Sequence, residues 1–149
     1  MSEHVLVPLD GSPQADQALE YALTVPDVEI NVITIINPFD VDPLTPGYQS
    51  PVGKSGMPAY SQEWYEKYWN DAEELHEQAR ERVEEHELPF ESVIKMGDPA
   101  HQIVEYTADH DIDHIIMGTH GRTGLSHVVL GSVAEKVVHR SPVMVTVVR

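Results

Sequence analysis

Short apolar runs alternate along the chain with segments whose apolar residues recur every three or four positions. Val5-Leu6-Val7, closed by Pro8, reads as a buried first strand. Ser12-Pro13 is a helix start, because the serine oxygen can accept from an orphan amide and proline lacks an amide that the first turn could not use. Ala15, Ala18, Leu19, Ala22 and Leu23 then line one face of that helix. Ile30 to Ile36 is β-branched and apolar, a second strand. From Asn37 to Ala59 the chain is broken by Pro38, Pro43, Pro46, Pro51 and Pro58, so 37–60 is expected to be a long irregular loop. Ser61 to about Glu87 predicts one long helix, with Trp64, Tyr68, Ala72, Leu75, Ala79 and Val83 on its inner side. Leu88-Pro89 ends it, and Phe90 to Met96 reads as a third strand. Gly97-Asp98-Pro99 opens a helix expected to bury Ala100, Ile103, Val104, Thr107 and Ala108. Ile112 to Met117 is the fourth strand, Val133 and Val137 mark a last helix, and Val143 to Val148 forms the final strand. This order predicts an α/β fold, a mostly parallel sheet with helices on both faces. Ligands of such sheets sit at the carboxyl ends of strands where the winding reverses, which selects the loops after the first and fourth strands.

Composition narrows the classes. A chain of 149 residues suits one domain and one core. The formal net charge is −16, and this disfavours nucleic acid and anionic membranes as partners. The absence of cysteine excludes disulfides, thiolate catalysis and iron–sulfur clusters. The start, Met1-Ser2-Glu3-His4, lacks the features of a secretory signal, and no apolar run reaches the ~18–20 residues that span a bilayer. The expectation is a soluble, cytoplasmic, acidic domain. The acid is unevenly placed: Glu63 to Glu91 holds 11 carboxylates, whereas Gly118 to Arg149 holds only Glu135 against Arg122, Lys136, Arg140 and Arg149. The first of these segments reads as a solvated helix face, the second as the place where an anion could be held.

The two selected loops carry the chemistry. After the fourth strand, Gly118, Gly121, Gly124 and Gly131 fall within 14 residues, and Gly131-Ser132 opens a helix. Glycines let backbone amides approach an anion, and a helix N-terminus adds free donors and partial positive charge. Ser132 could cap that helix or bond a phosphate oxygen. After the first strand, Asp10 could hold Mg²⁺ beside a phosphate, or could simply close an Asx turn into the helix.

Gly118-x2-Gly121-x9-Gly131-Ser132 resembles the ATP-binding signature of the universal stress protein family. The resemblance extends to Val5 through Ser12, to Gly97-Asp98-Pro99, and from Ile115 to Arg149. It implies a Rossmann-like open sandwich with a five-stranded parallel sheet, and ATP with Mg²⁺ as ligands. It further implies that Pro8, Leu9 and Asp10 line the nucleotide and metal site, with Asp10 serving Mg²⁺. By the same resemblance Ile35 and Met117 touch the adenine, and Gly118, Gly121, Gly131, Ser132 and Val133 surround ribose and phosphates. His120 and Arg122, inside the signature, join the candidate nucleotide contacts. The resemblance also implies a homodimer formed by antiparallel pairing of the last strands. Met144 stands where the family often has a second proline, and the 37–59 loop matches no family pattern.

Other readings fit less well. Gly47 to Ser55 has one residue too many for a P-loop and contains Pro51. His110 and His114 flank a turn into a strand, so a shared metal is not expected, and the nine histidines read as surface residues. Trp64, Tyr65, Tyr68 and Trp69 are expected to pack the long helix and cover the loop. The leading function is an ATP-binding regulatory module of the stress response. The alternative is a nucleotide-using enzyme on the same fold, a slow ATPase or an adenylyl-transfer or pyrophosphatase type. Against it, the first loop offers only Asp10 and Ser12 and no basic residue. No residue is assigned a catalytic role. The acidic balance reads as adaptation to high salt, with an acidic mesophilic protein as the alternative.

Overall fold

The computed structural model describes residues 2–38, 62–119 and 130–149. In chain order the elements are β1 (Glu3–Pro8), α1 (Pro13–Ala22), β2 (Val28–Ile36), α2 (Gln62–Glu85), β3 (Phe90–Met96), α3 (Pro99–Asp109), β4 (His114–Gly118), α4 (Ser132–Arg140) and β5 (Met144–Val148). The five strands form one sheet in the order β3-β2-β1-β4-β5, every neighbouring pair parallel. The expected doubly covered parallel sheet is therefore present. Winding runs outward from β1 to β3, then returns across β1 to β4. The switch point is the crevice between the carboxyl ends of β1 and β4.

Alternation along the strands sorts the core into two halves. Val5, Val7, Ile30, Val32 and Ile116 face α1 and α2, packing on Ala15, Ala18, Leu19, Ala79 and Val83. Leu6, Ile33, Ile115 and Met117 face α3 and α4, packing on Ala100, Ile103, Tyr106, Ala134 and Val137. Because β1 is flanked by strands on both edges and covered on both faces, Val5, Leu6 and Val7 are wholly buried. Arg82 of α2 ties the two helices of the first face together, bonding Asp16 at 2.6 Å and also Glu20.

Element ends moved by one or two residues. β4 begins at His114, since Ile112 is buried in the core but precedes the ladder. In α3, Val104 is half-buried and Ala108 exposed, while Tyr106 turns inward and stacks on His110. The acidic segment behaves as expected: all 11 carboxylates from Glu63 to Glu91 are exposed. The reading of histidines as surface residues is corrected at two of them. His76 of α2 and His114 of β4 are each only 6% exposed. His76 occupies the inward row Ala72-His76-Ala79-Val83, and His114 is held between Glu3 Oε1 at 3.0 Å and Thr146 Oγ1 at 2.7 Å. No helix among the described residues is long and apolar enough to cross a membrane.

Candidate functional site

β1 ends at Pro8, and Leu9 continues its line by donating its amide to Ile33 O at 2.9 Å. The chain then leaves the sheet. Asp10 Oδ1 accepts from the Ser12 amide at 2.8 Å, closing an Asx turn, and Ser12 Oγ accepts from the Ala15 amide at 3.1 Å as the N-cap of α1. Gly11 between them has φ +84°, in the left-handed region that the turn requires and that other residues resist. One carboxylate oxygen of Asp10 is thus committed to the turn. The residue is exposed, and its second oxygen has no partner among the described residues. A hard cation sharing its shell with phosphate oxygens needs only one such carboxylate, so the Asx turn and a metal role are compatible.

At the end of β4, Gly118 lies directly under the first turn of α1. A Cβ built there would sit 2.7 Å from Gln14 Cβ and 2.8 Å from the Gln14 carbonyl carbon. Glycine is needed here by the close approach of helix and strand, a role separate from any phosphate contact. That approach brings the Asp10–Ser12 turn beside the β4 exit. Past Gly118, the Thr119 amide donates to Val148 O at 2.9 Å, and the Gly131 amide donates to Thr119 O at 2.7 Å. The start of α4 is therefore pinned to the end of β4. Gly131, not Ser132, is the N-cap; Ser132 is the first helical residue, and no side chain caps the turn. Its first amides, at Ser132, Val133 and Ala134, precede the first intrahelical donor at Glu135 and face no described acceptor.

The structure thus gathers Pro8, Leu9, Asp10, Gly118, Gly131, Ser132 and Val133 around the switch point. Ile35 lies next to last in β2, half-buried against the α3 and α4 half of the core, as is Val133. Met117 is 5% exposed and belongs to that core. His120, Gly121 and Arg122 lie outside the described residues, as do the 39–60 part of the expected loop and the Gly47–Ser55 segment that resembles a P-loop. Among the described residues no group of three His, Asp or Glu could hold a metal ion on its own. Sequence reading missed the close contact of Gln14 with Gly118 and the burial of His76. Only the period of α2 could have exposed His76, as the polar member of an inward row.

The family model for the universal stress protein family matches residues 1–149. The chain belongs to the universal stress protein family. Universal stress protein MJ0531 of Methanocaldococcus jannaschii is 30% identical over 151 residues, covering 97% of this chain and 81% of that protein. The solved structure of MJ0577, from the same organism, superposes with a TM-score of 0.81 at 27% identity, covering 99% of this chain and 96% of that one. A universal stress protein family member from Arabidopsis thaliana, solved with AMP bound, matches with a TM-score of 0.66 at 16% identity, over 98% of this chain and 90% of that one. That last likeness concerns the fold.

Proposed function

We propose that this universal stress protein is a regulatory module that binds ATP with Mg²⁺ in the crevice between the ends of β1 and β4. The observation that carries the reading is the start of α4: a glycine cap, no side-chain cap bond, and first amides that meet no acceptor among the described residues, at the end of β4 where the winding reverses. A phosphate placed there would receive those amides and the positive end of the helix. Gly131 has φ −65°, so its value lies in having no side chain between the helix and an anion. Asp10 would hold Mg²⁺ through its uncommitted oxygen, and the ion would neutralise phosphate charge in a strongly acidic protein. Ile35 and Met117 would border the adenine, with Pro8 and Leu9 lining the β1 side of the site, while His120, Gly121 and Arg122 would complete the phosphate contacts. The binding of AMP by a protein of this fold supports an adenine nucleotide as the ligand class.

The reading includes no catalytic residue. Mass spectrometry of nucleotide released from the purified, denatured protein tests it. Intact ATP supports the module, AMP with pyrophosphate supports the enzyme alternative, and a protein that neither carries nor binds nucleotide in calorimetry refutes both. The reading extends to a homodimer. β5 is a sheet edge whose sequence MVTVV is apolar, with Met144 62% exposed, and a second copy paired along it would satisfy that edge.

A further inference from the structure

Behind the β1 exit lies a buried polar chain that phosphate and metal binding do not use. The Thr34 hydroxyl, on β2, lies 2.8 Å from the Leu9 carbonyl oxygen, and His76 Nε2, on α2, lies 2.6 Å from that hydroxyl. All three residues are buried. A threonine hydroxyl owns one proton, and a carbonyl owns none. The proton therefore points at Leu9 O, and the imidazole must present Nε2–H to Thr34 Oγ1. Donation runs one way: His76 to Thr34 to Leu9. Burial holds the imidazole below its ordinary pKa, which keeps it in the neutral form that has one N–H to give.

The accepting oxygen belongs to the peptide that joins Leu9 to Asp10. Leu9 is thus held on both sides by β2, through its amide to Ile33 O and through its carbonyl to Thr34. The turn that follows is closed at its far end by Ser12, the buried cap of α1, but between the two anchors nothing among the described residues lies within 4 Å of the place a Gly11 Cβ would occupy, and Asp10 is exposed. The direction in which Asp10 leaves the sheet is set at the Leu9–Asp10 peptide plane. We infer that His76 is a positioning residue for the nucleotide site, acting through Thr34 to fix that plane and with it the Asp10 carboxylate. The consequence for ligand binding rests on the ATP reading above; the positioning itself does not.

Two pairs of variants test this. Thr34→Val keeps shape and removes the hydroxyl, whereas Thr34→Ser keeps it. His76→Phe removes the donor, whereas His76→Gln supplies an amide N–H. The reporter is amide hydrogen exchange at Ser12, whose N–H is bonded to Asp10 Oδ1, measured without nucleotide and referred to amides in β1. Exchange at Ser12 should quicken in Thr34→Val and His76→Phe by about tenfold, and stay within about twofold of the parent in Thr34→Ser and His76→Gln. Mg²⁺-ATP affinity should follow the same pairing. Equal exchange in all five proteins, or equal acceleration in both members of each pair, overturns the inference. A parent that binds no ATP overturns the nucleotide reading instead, and the exchange comparison then decides the positioning alone.

Discussion

Replacing Gly118 with alanine separates its packing role from any ligand role. The new Cβ would meet Gln14 Cβ at 2.7 Å, the Gln14 carbonyl carbon at 2.8 Å and the Ala15 amide nitrogen at 3.0 Å. Unstrained carbon contacts lie at about 3.5–4.0 Å, so the first turn of α1 must retreat by about 0.8 Å. Two of the three obstacles are backbone atoms, and no side-chain rotation relieves them. Retreat would lift Ala15 and Ala18 from Ile116, which they meet in the shared core. Overpacking of this kind costs about 1–3 kcal/mol. Restricting the unfolded chain by a Gly→Ala change returns about 0.4–1 kcal/mol. The net loss is then about 1–2 kcal/mol, which for a chain of this size lowers Tm by about 3–8 °C. Thermal and denaturant unfolding, both recorded without nucleotide, read the effect directly. A Gly118→Ala protein as stable as the parent would refute the packing role and leave Gly118 to the ligand alone.

The distance over which each feature is specified explains what the sequence disclosed. α1 was legible because its evidence is local: a Ser-Pro start and alanines at helical spacing give Pro13–Ala22 with Ser12 as the observed cap. The parallel sheet followed from apolar runs alternating with such helices, and the switch point followed from the sheet. The Asx turn at Asp10 was legible as one of two readings, because its partner Ser12 is two residues away. The packing role of Gly118 was not, because that it faces Gln14 depends on how α1 packs over β4. The two buried histidines were misread for the same reason. His114 meets residues 111 and 32 positions away, and His76 meets Thr34 42 positions away, so no local window contains the partners that make their burial tolerable.

Five further outcomes are expected. Gly131→Val should keep the fold, since φ −65° suits any residue, yet abolish ATP binding in calorimetry by filling the anion site, while Asp10→Asn should chiefly weaken its Mg²⁺ dependence; parent-like binding in the first or unchanged Mg²⁺ dependence in the second removes that residue from the site. Light scattering should give twice the 16.7 kDa chain mass at micromolar concentration and the chain mass for Val147→Lys, and a parent of single-chain mass sinks the dimer. His76 is held below its ordinary pKa by burial, so as pH falls through the ordinary histidine value of about 6.5 the unfolded chain takes up a proton that the folded one refuses; parent stability relative to His76→Gln should be full well above that pH and fall as pH is lowered through it, and a constant difference refutes the buried neutral imidazole. The last outcome concerns salt, through the carboxylates of the α2 segment, which stand exposed on one side of the molecule within a net charge of −16. At 0.1 M salt the Debye length is about 10 Å, long enough for them to repel one another; at 1 M it is about 3 Å, and the repulsion is gone. Tm should therefore be clearly higher at 2 M than at 0.1 M KCl, with most of the rise below about 1 M. A flat or falling Tm would refute adaptation to high salt and leave the nucleotide proposal standing, because the amides of α4 and the turn at Asp10 owe nothing to the charge of α2.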